Sequence, residues 1–396
     1  MPDKNLEQLM NICVKCGNCR FNCPVFQTTL DEGGVARGKI SLLQTLLKEN
    51  EKFSEETLYY LDSCVVCGSC QYICPRDVDY LSIIEIARAK AVKENQISRA
   101  KRIFLKFISK NKNLKFLSFA KSLFRKKSGL LFKLPVIKRH FPLPEKPIER
   151  IIDSYNKPDG EKKFDLLFFP GCATRFVFSE TGYKLVKVLN RLGVGVYFES
   201  DLRCCGFPHL TSGDRETFEE LKNYNLTIFE KYKDKVKYIV SGCATCGSNL
   251  FNNYNLPIEF KDINVLLFDI LNYKPSKKLD LNTYFHHPCH LLKHQGVKKQ
   301  PEMLLESVSN RKKLVGEDFC CGFGGSFSVF KAEQSKKIGD LKAGMIKNSI
   351  KGNSKKSLVV TSCPGCIMQL KDSMARNNLP FNVVHIIDLI YSELEG

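Results

Sequence analysis

Apolar positions recur along this chain in two rhythms, one helical and one strand-like. Gly38 to Lys48 (GKISLLQTLLK) and Ser54 to Leu61 repeat apolar residues at helical intervals. Ser82 to Asn95 reads as another helix, with Ser82 as its N-cap. From Ala100 onward Ile103, Phe104, Phe107, Ile108, Leu114, Leu117, Phe119, Leu123 and Phe124 fall at roughly helical spacing among lysines. Pro135, Pro142, Pro144 and Pro147 then mark an extended connection. Beyond it, short apolar runs alternate with amphipathic stretches. Phe164 to Pro170, Val194 to Phe198 and Lys237 to Val240 read as buried strands, with helices over Thr181 to Leu192 and Phe218 to Lys233. Strands follow at Thr283 to His287 and Ser357 to Thr361, and a last apolar segment at Val383 to Leu389. The pattern predicts an α+β first part and then α/β repeats packed face to face, with sites at the carboxyl ends of their strands.

Length and charge narrow this picture. A chain of 396 residues accommodates two to four domains, and 43% hydrophobic with 26% charged residues is a globular composition. The net charge of +19 is concentrated: Ala100 to Arg150 holds fifteen Lys or Arg against Glu145 and Glu149. A basic amphipathic segment suits an anionic membrane surface or an acidic partner, and equally a helical linker with a solvated lysine face. No recognition motif accompanies the charge, so nucleic acid is not an expected partner. No apolar run approaches the roughly 18 residues of a spanning helix, and MPDKNLEQLM lacks a signal-peptide apolar region. The expected location is cytoplasmic, with peripheral contact on the inner face of the membrane as a variant.

Cysteine decides the chemistry. There are 18, and every one falls in a motif. Without secretory features they are expected as ligands in a reducing compartment, not as disulfides. Cys13, Cys16, Cys19 and Cys23, followed by Pro24, spell C-x2-C-x2-C-x3-C-P; Cys64, Cys67, Cys70 and Cys74, followed by Pro75, spell it again. This run holds cubane 4Fe-4S clusters, and its fourth cysteine serves the other cluster. The expected sets are therefore Cys13, Cys16, Cys19 and Cys74 for one cubane, and Cys64, Cys67, Cys70 and Cys23 for the other. Zinc competes for C-x-x-C pairs, but two identical runs closed by proline weigh against it. Arg37 and Lys39 are placed to stabilise a reduced cluster or to meet a partner's carboxylates, unless they are an ordinary solvated helix start.

Two sets of five cysteines follow on one period. Cys172, Cys204, Cys205, Cys243 and Cys246 form the first; Cys289, Cys320, Cys321, Cys363 and Cys366 form the second. Each reads as one cysteine, a CC pair followed by glycine, then C-x-x-C. Five thiols exceed the four ligands of structural zinc, although zinc in one set remains a competing reading. A catalytic dithiol in each C-x-x-C would leave the other cysteines unexplained. An iron–sulfur cluster more open than a cubane uses all five. His209, His287 and His290 lie within four residues of these cysteines and are candidate proton donors, with loop-holding hydrogen bonds as the plainer role. Gly206 and Gly322 are expected to let backbone approach a cluster or to be ordinary turn glycines, and Pro208 and Pro364 to stiffen loops.

With these motifs in view, the repeats resemble the cysteine-rich CCG domains of the heterodisulfide reductase family. The whole chain resembles members that join a helical two-cluster ferredoxin domain to two such domains: heterodisulfide reductase D and the iron–sulfur subunits of glycolate oxidase and lactate dehydrogenases. CVKCGNCRFNCPVF with ARGKI a few residues on is most similar to the glycolate and lactate group. The corresponding division is a dicluster domain over 1–98, a basic helical linker over 99–160, and CCG domains over 161–278 and 279–396. The resemblance implies two cubanes and one or two further, non-cubane 4Fe-4S clusters. It implies as partner an FAD-containing dehydrogenase subunit that oxidises a 2-hydroxy acid, and as acceptor a quinone or a membrane subunit. The alternative it implies is reduction of a disulfide between non-cubane clusters in the CCG domains. No G-x-G-x-x-G fingerprint follows a strand, so the hydride acceptor is expected in another subunit.

Overall fold

The computed structural model describes residues 5–49, 51–110, 131–134, 139–142, 146–350 and 356–395. Residues 5 to 110 form a helical unit. Helices α1 (Leu6–Asn11), α2 (Ala36–Glu49), α3 (Glu55–Asp62) and α4 (Tyr80–Lys93) bury Met10, Ile40, Leu43, Leu61, Ile83 and Ile84 between them. Ser54 caps α3, its hydroxyl accepting from the Thr57 amide at 3.1 Å. The cap of α4 is Asp79, not Ser82: Asp79 Oδ1 accepts from the Ser82 amide at 3.2 Å, and Ser82 Oγ donates to Asp79 Oδ2 at 2.7 Å. A carboxylate in that position also gains from the positive end of the helix dipole.

The basic stretch opens with α5 (Arg99–Ile108). Its Leu105 is buried, and Lys101 Nζ lies 2.7 Å from Asp62 Oδ1. Phe104 meets Phe330 edge to face at 5.4 Å between ring centres, whereas Ile103 stays exposed. The apolar positions Leu114, Leu117, Phe119, Leu123 and Phe124 lie outside the described residues. The antiparallel pair β1 (Leu131–Leu134) and β2 (Arg139–Pro142) comes next. Arg139 anchors it through buried hydrogen bonds to Asp372 Oδ2 (3.1 Å), Ser335 Oγ (2.9 Å) and the Ser328 carbonyl (3.1 Å).

Two sheets follow, built alike. The first runs β3 (Tyr155–Asn156), β5 (Val194–Phe198), β4 (Phe164–Phe168), β6 (Tyr238–Ser241), β7 (Phe260–Asp262), and all but β3 are parallel. Helices α6 (Ser179–Arg191), α7 (Arg215–Glu230) and α8 (Ala244–Asn253) connect it. The second runs β9 (Asn310–Lys312), β8 (Asn282–Phe285), β10 (Ser357–Thr361), β11 (Asn382–His385), all parallel. Its helices are α9 (Cys289–Gln295), α10 (Lys299–Val308), α11 (Ala332–Ser349), α12 (Pro364–Arg376) and α13 (Ile386–Glu395). In both, the second strand sits outside the first, with the third and fourth on the other side. The repeat seen in cysteine spacing is therefore a repeat of topology.

The two units share one interior. Phe168, Phe198 and Val240 pack in the same cluster as Phe285, Val360 and Ile386. Across the seam, Lys184 Nζ on α6 lies 3.1 Å from Asp388 Oδ1 on α13. Strand β9 went unpredicted because Asn310, Arg311 and Lys312 carry no apolar signal; it pairs at an edge through its backbone.

Two buried carboxyl groups make stability sensitive to substitution and to pH. Asp372 is buried with Arg139 and Arg376 both at 3.1 Å. Asp372→Ala removes a buried carboxylate that both guanidiniums contact and is expected to cost about 3 to 5 kcal/mol by denaturant unfolding. On α4, burial pushes the Glu85 carboxyl up to about 7, with Arg215 and Arg88 opposing it. Its folded value lies above its unfolded one, so its contribution is whole at low pH and is lost as pH rises towards 7. The loss amounts to about 3 kcal/mol in order of magnitude. Glu85→Gln is expected to stabilise the protein increasingly between pH 5 and pH 8, and a gain of equal size at both pH values would rule this out.

Candidate functional site

The eight N-terminal cysteines surround two small cavities. One is lined by Cys13, Cys16, Cys19, Cys70 and Cys74; the other by Cys23, Cys64, Cys67 and Cys70. Cys74 lines the cavity of the first run and Cys23 that of the second, with Cys70 at the wall between. The two loops share a backbone conformation: Lys15 and Val66 have φ of 58° and 56°, and Gly17 and Gly68 have 89° and 71°. A β-branched residue with positive φ is held there at a cost. The return is a turn whose amides face sulfur, with the Val66 N–H 3.4 Å from Cys64 Sγ. Lys39 is buried beside the second cavity and donates to the Gly34 carbonyl. Burial lowers its pKa against the pull of Cys64, Cys23 and Cys70. Arg37 instead pairs with Glu32 at 3.0 Å near the first cavity.

The ten later cysteines line one cavity of about 480 Å³. Both sets reach it by the same local route. Cys243 and Cys363 are the N-cap residues of α8 and α12, which places Cys246 and Cys366 on the first turn of each helix. The CC pairs sit in loops where Gly206 and Gly322 have φ of 83° and 86°. A Cβ on Gly206 would lie 2.7 Å from Phe218, and one on Gly322 2.6 Å from Ile338. These glycines therefore admit a helix of the same repeat. The glycine that approaches a cysteine is Gly171, where a Cβ would lie 2.5 Å from Cys246 Sγ. Its place directly before Cys172 was the available signal.

Sulfur contacts run from one set into the other. Cys172 meets Cys204, Cys204 meets Cys205, and Cys205 meets Cys246. Cys243 touches both Cys246 and Cys363. Cys363 meets Cys366, whose sulfur is 3.6 Å from that of Cys321. Cys320 touches Cys321, Cys289 and, from the N-terminal domain, Cys67. Cys67 lines both its own small cavity and the large one. Among the described residues, no Lys, Arg, Asp or Glu lines the large cavity. Phe207, Phe323, Phe104, Ile108, Val329 and Met368 supply its apolar walls.

Of the three candidate histidines, the structure brings one to this cavity. His290 lines it, its Nδ1 2.9 Å from Thr245 Oγ1. His209 Nδ1 lies 2.9 Å from Asp214 Oδ2 and steadies the turn before α7. His287 Nε2 lies 2.9 Å from Glu302 Oε1, and burial pushes its pKa down to about 4. Sequence reasoning passed over three neighbours in the same run: His286 beside Cys321 and Cys366, Lys293, and His294. The i to i+4 spacing of Cys289 to Lys293 and His290 to His294 was the clue to a shared helix face.

The donor set points to groups larger than single ions. Zinc takes four ligands in a closed tetrahedron. Here ten thiols, nine of them buried, surround one space, and all are free of disulfides. Soft thiolates in such number fit iron–sulfur clusters.

Comparison with known proteins agrees. The cysteine-rich (CCG) domain family matches residues 166–251 and again 283–371, and a 4Fe-4S dicluster domain matches residues 9–78. An uncharacterised iron–sulfur protein of Methanocaldococcus jannaschii is 30% identical over 92% of this chain and 68% of its own length. The probable glycolate oxidase iron–sulfur subunit of Bacillus subtilis is 26% identical over 97% of this chain and 93% of its own. A subunit of the dihydromethanophenazine:CoB–CoM heterodisulfide reductase of Methanosarcina barkeri is 24% identical over 99% of this chain and 96% of its own.

Anaerobically purified protein is expected to carry about sixteen irons per chain, and a Cys204→Ser, Cys320→Ser double variant about eight, with the EPR signals of the N-terminal sites retained. A wild-type content of about eight irons plus zinc would contradict cluster binding by the later cysteines.

Proposed function

Because the chain belongs to the family of iron–sulfur proteins that join a 4Fe-4S dicluster domain to two CCG domains, we propose that it is the electron-transfer subunit of a flavin-dependent 2-hydroxyacid dehydrogenase, with lactate or glycolate as substrate of the complex. The observation that carries this reading is the placement of Cys67. It lines its own cavity and also touches Cys289 and Cys320, so the N-terminal sites and the CCG sites form one connected path. At the other end, Cys16 is the one exposed cysteine, where a partner can come near. We assign Cys13, Cys16, Cys19 and Cys74 to one cubane and Cys64, Cys67, Cys70 and Cys23 to the other. Each five-cysteine set is assigned to a non-cubane four-iron cluster. Bound there, such clusters supply one-electron steps between a two-electron flavin and the final acceptor.

The chain's own residues set the conditions for that traffic. Cysteine thiolates hold the sites, and the apolar walls exclude water. Lys39 lies buried beside the second cavity, its Nζ donating to the Gly34 carbonyl. The acceptor end of the path is the large cavity, with a quinone or another carrier as electron sink. The similarity to a glycolate oxidase iron–sulfur subunit along nearly the whole of both chains supports this assignment.

A second reading rests on a separate observation. Both five-cysteine sets are complete and face a single cavity, as a disulfide bound between two sites requires. The similarity to a heterodisulfide reductase subunit supports it. A disulfide would then take two electrons and two protons, its S–S bond breaking to release two thiols.

No helix among the described residues is long and apolar enough to cross a membrane. Any membrane contact would be peripheral, through the basic stretch or a partner.

The deciding experiment uses the complex purified anaerobically from its native cells. The expected result is an FAD-containing subunit in equal amount, with cluster absorbance bleached by lactate or glycolate and restored by a quinone analogue without thiol release. Bleaching reversed only by a disulfide, with two thiols formed, would select the second reading. No bleaching by either hydroxyacid would reject the first.

A further inference from the structure

Helix α9 belongs to the second CCG unit, yet three of its side chains grip the N-terminal domain. Lys293 Nζ donates to Ser69 Oγ at 2.6 Å and to the Asp318 carbonyl at 2.9 Å. The His290 ring lies against the backbone of Val66, and the His294 ring against that of Cys67. A Cβ on Gly68 would lie 2.8 Å from His294 Nε2. The contacts fall on the cysteine loop that carries the strained Val66. Ser69 Oγ in turn accepts from Cys67 Sγ at 3.3 Å. Cys289 at the start of the same helix touches Cys67. The loop of one site and the first cysteine of another are thus fixed by one short helix.

Charge distinguishes this junction from its counterpart. In the first CCG unit Arg175, three residues after Cys172, is held by the Glu149 carboxylate at 3.0 Å. Lys293 forms no salt bridge among the described residues; its hydrogen-bond partners are a hydroxyl and a carbonyl. Burial would push its pKa down, but the sulfur charges of Cys289, Cys67 and Cys320, with a smaller contribution from Asp318, hold it up. Lys342, buried nearby, adds a second cation facing Cys321 and Cys289.

We propose that Lys293 is a positioning residue whose fixed positive charge, placed between Cys67, Cys289 and Cys320, raises the reduction potential of the second CCG site and makes that site, not the first, the point where electrons leave the N-terminal domain. The inference rests on the proposed function, since it presupposes clusters at both sites of the junction. A buried cation favours the more negative, reduced form of whatever those sulfurs hold.

The test is an EPR-monitored redox titration of anaerobic full-length protein and of Lys293→Gln and Lys293→Arg. The cluster in the Cys13 site serves as internal reference because Lys293 does not reach it. Lys293→Gln is expected to shift the reduction equilibrium of the second CCG site at least about tenfold towards oxidised, which is about 59 mV for a one-electron couple. The Cys64 site should shift the same way, and the Cys13 site should hold its potential. Lys293→Arg, which keeps the charge, should stay close to wild type. Full iron content in Lys293→Gln with no selective shift would overturn the inference and leave the proposed function standing. An equal shift at all sites, or the same shift in Lys293→Arg, would mark a structural role and also overturn it. Wild-type protein with iron only in the N-terminal sites would overturn the inference together with the assignment of clusters to the CCG sites.

Discussion

Taking negative sulfur out of water is the constraint on which this structure depends. Nine of the ten later cysteines are buried, and the cavity they line has no charged side chain among its described residues. An unpaired thiolate in such a place is costly, and burial pushes thiols such as Cys23 up to about 11. A cationic metal core removes that cost by binding the thiolate directly. The cavity is assembled from both repeats and from the N-terminal loop, and none of these forms it alone.

The duplicated architecture answers the same constraint. Each α/β unit brings its cysteines to the carboxyl ends of its strands, where a helix N-cap and a CC loop converge. Packed against each other through a shared apolar core, the units turn those ends to one space. What remains open is closed by the N-terminal domain, through Val65 and Cys67, and by Phe104 and Ile108 of α5. The basic stretch therefore begins as a wall of the site, whatever its later residues contact.

Much of this was legible along the chain because the chemistry is written in local spacing. The two C-x2-C-x2-C-x3-C-P runs, the two five-cysteine sets and the alternation of apolar strands with amphipathic helices carried the domain order and the fold class. Signals failed where the cause was not local. Strand β9 is polar and exists because a neighbour's backbone pairs with it. Asp79 took the cap assigned to Ser82 because a carboxylate and a serine three residues apart fit either role in sequence. Gly206 and Gly322 make room for Phe218 and Ile338, partners visible only once the helices are in place.

The identity of the ligand candidates, their division into four groups and the copying of the last two groups could all be read without a fold. Thiol spacing and strand–helix rhythm are properties of short segments, so they survive on a bare chain. The joining of the groups could not be read that way and came from three-dimensional packing. Packing put Cys67 in two cavities, kept His209 and His287 out of the large one, and set Lys293 on Ser69 across 224 residues of chain. No local pattern encodes a contact of that span, because it arises from three domains closing around the same buried sulfur.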